Sequence, residues 1–127
     1  MNQLTVLFAA IFGMLAILLG AFGAHALKKK LTSDQLQSFE TGVKYQLYHA
    51  ILLVILGFEL EFTSSIEIYM AWCFIIGVFL FSFSIYALVL ANYKKKTLRF
   101  LGPVTPIGGL SLLVGWGLLL LVAIRVL

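Results

Sequence analysis

The chain carries four apolar stretches, at residues 4–27, 43–62, 66–91 and 107–127. Each is close to the roughly 20 residues that a helix needs to cross a hydrocarbon core about 30 Å thick. Polar interruptions are few: Thr5 and His25 in the first, Glu67, Ser82 and Ser84 in the third, Ser111 and Arg125 in the fourth. The second is the weakest, with Gln46, His49, Glu59 and Glu61. Lipid offers no hydrogen bonds to a bare backbone, so these stretches are expected to be helices. A barrel would alternate apolar and polar residues, and these runs are apolar on both parities. Of the 127 residues, 62% are hydrophobic and 11% charged, too little polar material for the shell of a soluble domain. The expectation is one all-α membrane domain, residues 1–127: a polytopic, antiparallel bundle of four transmembrane helices.

The charges bear on the count of spans. Lys28, Lys29, Lys30 and Lys44 flank the first connection, and Lys94, Lys95, Lys96 and Arg99 lie in the third. With four crossings both connections fall on one side, which then holds eight of the nine Lys and Arg residues. Glu59, Glu61, Glu67 and Arg125 fall on the other. The positive-inside rule places the lysine clusters in the cytoplasm and both termini of this multi-pass cell-membrane protein outside it. The net charge of +4 therefore reports orientation, not a nucleic-acid partner. The same reasoning bears on "GAFGAHALKKKL" at residues 20–31. Ala24-His25-Ala26 fits a signal-peptide cleavage pattern. However, "MNQL" lacks a positive start, the apolar run is long, and lysines follow at once, so a retained helix end is expected.

In the first connection Thr32 and Gln35 have capping-box spacing. Leu36, Phe39 and Val43 then recur at helical spacing beside Gln37, Ser38 and Glu40. This predicts a short amphipathic surface helix between spans one and two, bending into the second span near Gly42. In the third connection Thr105 is placed to cap the fourth helix, with Pro106 at its first position.

Four motifs occur in order: "GAFGAHAL", "FETGVKYQLYHA", "LFSFSIYAL" and "GPVTPIGGLSLLVGW". Together they resemble the domain-of-unknown-function 423 family of small membrane proteins across nearly the whole chain. One position departs: Phe83 stands where the family's third motif carries glycine. The resemblance implies a four-helix membrane protein and brings no reaction, ligand or partner.

Three constellations could carry function. Ala9, Gly13, Ala16, Gly20 and Ala24 form a stripe of small residues on the first span, and Gly108, Ser111 and Gly115 form a similar set on the fourth. Such stripes let helix backbones approach closely. They could face each other within the monomer, or the first could form the self-association face of a homo-oligomer. The second constellation is a polar cluster. His25, Gln46, His49, Ser82 and Tyr86 are placed toward the lysine-rich end, and lipid-facing polar groups are costly. They are expected to point inward, either as a cytoplasm-facing ligand pocket or as hydrogen-bonded packing, with His49 reaching partners on span three. The third is the helix start at Thr105, Gly108 and Gly109, where positive partial charge beside lysines could hold an anionic lipid head group or a soluble anion. Trp116, far from the interfaces where tryptophan is usual, is expected to fill space against the glycines.

Other chemistry has little support. Two histidines 24 residues apart are a poor metal-ligand signal, and Cys73 is alone. Ser82 or Ser84 with His49 lacks any nucleophile motif. No cofactor, metal or catalytic residue is expected. Two classes remain: a non-enzymatic structural or accessory membrane protein, and a binding or transport protein for an anionic or lipid ligand. Internal repeats and broken midplane helices, which mark many transporters, are not evident, favouring the first.

Overall fold

A computed structural model describes residues 1–126, apart from the side chain of Val126. Residue 127, the expected end of the fourth span, lies outside the described residues. The described chain is helical, and four helical stretches are long and apolar enough to cross a membrane. Helix α1, Asn2–Phe22, continues through a π-helical turn, Gly23–Leu27. Helix α2 is Ser33–Glu59. Helix α3, Ser65–Val78, passes through a second π turn, Phe79–Phe83, into α4, Ser84–Tyr93. A short 3₁₀ turn, Arg99–Leu101, precedes α5, Val104–Val126. The helices pair as two antiparallel hairpins: α1 lies chiefly along α2, and α3 chiefly along α5.

The expected surface helix is not a separate element. Residues 33–42 are the first turns of α2, which runs unbroken through Gly42. The cap is as the sequence indicates: Thr32 Oγ1 accepts from the Gln35 N–H at 3.3 Å, and Gln35 Oε1 accepts from the Thr32 N–H at 3.1 Å. The apolar face of these turns packs against protein. Phe39 is buried with Leu31, Tyr86 and Val89, its ring 5.0 Å from that of Tyr86. Thr32→Ala should cost about 1 kcal/mol and speed amide exchange in the first turn of α2 alone.

The second span ends earlier than expected, at Glu59, where Leu60 turns extended. Phe62 then takes φ 52°, uncommon for a bulky residue, while its side chain is buried in the main core with Leu56, Met70 and Phe74. A second capping box, Ser64 with Glu67, starts α3. The fourth helix starts earlier than expected. The Ile107 N–H donates to the Pro103 carbonyl at 3.2 Å, so Thr105 and Pro106 lie inside the first turn and Thr105 is not the cap.

Glycines set the closest helix contacts. A Cβ on Gly108 would lie 2.4 Å from the Phe81 nitrogen, and one on Gly115 2.8 Å from the Phe74 ring. A Cβ on Gly77 would meet Leu112 at 2.7 Å. The α5 set therefore faces α3 and the π turn after it. The α1 stripe faces α2: Gly13 lies beside Ala50, Gly20 beside Val43, and Gly23 against the Phe39 ring. The two stripes do not face each other. Ala24, assigned to packing from sequence, is exposed. The π turn that begins at Gly23 alters the helical phase there, and Gly23 takes the contact.

Candidate functional site: a closed polar network

The second π turn and α4 both lie between α2 and α5, so Ser82 in the turn and Ser84 at the start of α4 are both buried although they lie two residues apart. Ser82 and Tyr86, one turn apart, turn toward α2. Ser82 Oγ donates to the Gly42 carbonyl at 2.7 Å, and the Tyr86 hydroxyl donates to Gln46 Oε1 at 2.8 Å. Gly42 makes this possible: a Cβ there would sit 2.7 Å from the Tyr86 ring, so the missing side chain lets the ring lie across α2. Gln46, fully buried, uses its other end to donate from Nε2 to the Phe12 carbonyl of α1 at 2.8 Å. Ser84 turns the other way, with its Oγ 2.6 Å from Thr105 Oγ1 on α5.

His49 lies one turn further along α2. Its Nδ1 is 2.7 Å from the Tyr45 carbonyl, and its Nε2 is 3.2 Å from Trp116 Nε1. A carbonyl only accepts and an indole N–H only donates, so these partners specify a neutral imidazole with its proton on Nδ1. The ring also meets Phe74, at 5.7 Å between centroids, and Phe74 stands edge-on to Trp116. His49 thus reaches the third span as expected, by ring contact with Phe74, while its hydrogen-bond partner across the bundle is Trp116 on the fourth. Ser111 completes the set by donating to the Cys73 carbonyl at 2.8 Å.

Among the described residues no buried side-chain nitrogen or oxygen lacks a hydrogen-bond partner. Two depressions open to the outside: an apolar groove of about 620 Å³ between the ends of α1 and α2, and one of about 430 Å³ beside Ser38, Asn92 and Thr105. No group of three or more His, Cys, Asp or Glu with metal-site spacing occurs among the described residues.

Several sequence-assigned positions fall elsewhere. His25 is exposed at the π-helical end of α1, apart from Gln46, His49, Ser82 and Tyr86. Gln46, Ser82 and Tyr86 lie between the middle of the bundle and its lysine-rich end, as expected, with His49 close to the middle. Phe12 is about 15 Å along α1 from Asn2, near the middle of the bundle, and the network runs from there toward the lysines. At the start of α5, Pro103 and Pro106 have no N–H, so only Val104 and Thr105 offer free donors there. Gly108 is buried against the Phe81 backbone, and Gly109 lies 3.7 Å from the Phe81 ring by its would-be Cβ. These glycines serve packing, and that removes most of the anion cradle read from the sequence. Phe83, at the position where the resemblance expects glycine, is half-buried against Phe12 and Tyr86. Gly108 supplies the close approach from the facing helix instead.

The sequence reading did not find the Phe12 carbonyl or the Trp116 indole as partners. A backbone acceptor has no residue signature. Trp116 did carry a signal, because an indole N–H at mid-membrane depth needs an acceptor nearby.

A family model described as "Protein of unknown function (DUF423)" matches residues 19–109, more than half of the chain. The chain belongs to the DUF423 family. The matched stretch includes Gln46, His49, Ser82, Tyr86 and Thr105, while Phe12 and Trp116 fall outside it. The Escherichia coli (strain K12) UPF0382 inner membrane protein YgdD is 39% identical, over 98% of this chain and 92% of that protein. The Staphylococcus haemolyticus UPF0382 membrane protein SH2409 is 38% identical, over 94% of this chain and 93% of that protein. No solved structure matches the chain significantly. The DUF423 relatives carry no assigned biochemical function in their names, so the protein is an integral membrane protein of an uncharacterised family.

Proposed function

We propose that this chain is a structural or accessory membrane protein that works through its outer surface and not through an internal binding or catalytic site. The observation that carries this reading is the closed network. The buried polar groups bond to one another and to helix carbonyls, tying α1, α2, α4 and α5 together. A binding or transport site would keep acceptors or donors open toward a cavity. Mass spectrometry of the protein released from membranes tests this. The expected spectrum contains the chain with a distribution of ordinary bilayer phospholipids. A stoichiometric small molecule that is lost in the His49→Ala variant would overturn the reading. A molecule retained by His49→Ala would favour the alternative, an anionic or lipid ligand at the Ser38, Asn92 and Thr105 groove.

The same reading includes an orientation. Lys28, Lys29, Lys30, Lys94, Lys95, Lys96 and Arg99 lie at one end, and the positive-inside rule supports placing that end in the cytoplasm and both termini outside. There the lysines attract anionic head groups by about 1 kcal/mol each. A reporter fused after Leu127 should be active only outside the cytoplasm, and a cysteine at Lys95 should be shielded from outside reagents. A cytoplasmic C-terminus would contradict the orientation.

A further inference from the structure

Packing fixes the depth of residues on α2. Gly57 lies beside Val6, Gly13 beside Ala50, and Gly20 beside Val43. In that register Lys44 is level with Leu19, nine residues or about 14 Å from Lys28 along the axis. The contact of Gly42 with Tyr86 places Lys44 similarly deep relative to Lys94. The bundle from Asn2 to Lys28 is about 39 Å tall. In a hydrocarbon core of about 30 Å centred on it, Lys44 starts about 9 Å inside, beyond the roughly 6 Å that a lysine can snorkel. Tyr48, level with Leu15, lies at the midplane. Both side chains are exposed, Tyr48 by 59%. Neither is paired within the chain, and nor is Glu40, among the described residues.

These residues belong to a regular pattern. Lys44, Tyr48, Ile51, Ile55 and Phe58 are exposed at spacings of four, three, four and three, the seam of a left-handed helix pair. Glu40 flanks it one turn below Lys44. We infer that a second copy of this chain covers this face, with α2 packed parallel to α2 about a twofold axis along the membrane normal. Copies inserted with one topology are parallel, so Tyr48 meets Tyr48 across the axis, hydroxyl to hydroxyl. Lysine side chains on a helix lean toward its N-terminus. Each Lys44 therefore drops to the level of the other copy's Glu40, giving two reciprocal ion pairs. The exposed polar groups of this face thus find complements on an identical face, and each is withdrawn from lipid. The α1 stripe, used up against α2, is not the self-association face.

This inference rests on the reading that the protein acts through its outer surface. It is tested by disulfide formation in native membranes, in a Cys73→Ala background. Tyr48→Cys and Ile51→Cys should yield dimer at least several-fold above Ile17→Cys and Leu113→Cys, which are exposed on other faces. In the Ile51→Cys chain, Glu40→Lys alone and Lys44→Glu alone should each lower the yield. Co-expressing the two should restore it in a mixed dimer, which a pair within one chain cannot explain. Equal yields at all sites, greater yield at Ile17→Cys or Leu113→Cys, adducts only with another protein, or no gain on co-expression would overturn it. A monomer would overturn this inference and leave the closed interior standing, since that reading fails only if the mass spectrum shows an internal ligand.

Discussion

Gly108→Ala should be the most damaging single-methyl change in the protein. Its new Cβ would lie 2.4 Å from the Phe81 nitrogen and 2.8 Å from the Leu80 carbonyl carbon, both backbone atoms. No rotamer change relieves such a clash, so α5 must move away from the π turn and loosen the Ser84–Thr105 bond beside it. Overpacking costs about 1–3 kcal/mol, and this case belongs at the upper end. Gly115→Ala should cost less, because its clash is with the Phe74 ring. Gly117→Ala is the control: nothing lies within 4 Å of its Cβ position, and alanine is the better helix former by up to about 1 kcal/mol. Unfolding in bicelles should rank Gly108→Ala below Gly115→Ala and both below the parent, with Gly117→Ala equal to the parent or above it.

The second large effect is at Gln46. Gln46→Leu keeps the volume but strands the Tyr86 hydroxyl in a buried site, at a cost of about 1–3 kcal/mol. Tyr86→Phe should recover much of that loss when added to Gln46→Leu, because no donor is then left without an acceptor. The double variant should be more stable than the sum of the two singles implies. Strict additivity would mean that the pair is not bonded. His49→Ala and Ser82→Ala, which share no partner, should add.

What the sequence made legible was local or one-dimensional. Span number and the Thr32–Gln35 cap depend on residue order alone. So did the inward turn of Gln46, His49, Ser82 and Tyr86, because lipid penalises the alternative. Helix pairing was not legible. The stripes on the first and fourth spans look alike as sequence, and only packing shows that they face α2 and α3. His25 looked equivalent to His49, but the π turn at Gly23–Leu27 leaves it at an exposed helix end. At the fourth helix, Pro103 supplies the first accepting carbonyl, so the helix begins before the threonine that resembled its cap. The unpartnered face of α2 was likewise out of reach, since the depth of Lys44 and Tyr48 follows from the register between helices.

The central claim is that the polar interior is closed, and the accessibility of Ser82 tests it most directly. In a Cys73→Ala background, Ser82→Cys places a nearly isosteric thiol beside the Gly42 carbonyl, where the side chain is fully buried. Inverted membranes expose the lysine-rich end to a polar methanethiosulfonate reagent. Ser82→Cys should not be labelled while the protein is folded and should be labelled completely after denaturation, with Lys95→Cys reacting at once as the exposed control. Labelling of folded Ser82→Cys at a rate near that of Lys95→Cys would mean an open, water-filled pocket in place of a closed interior.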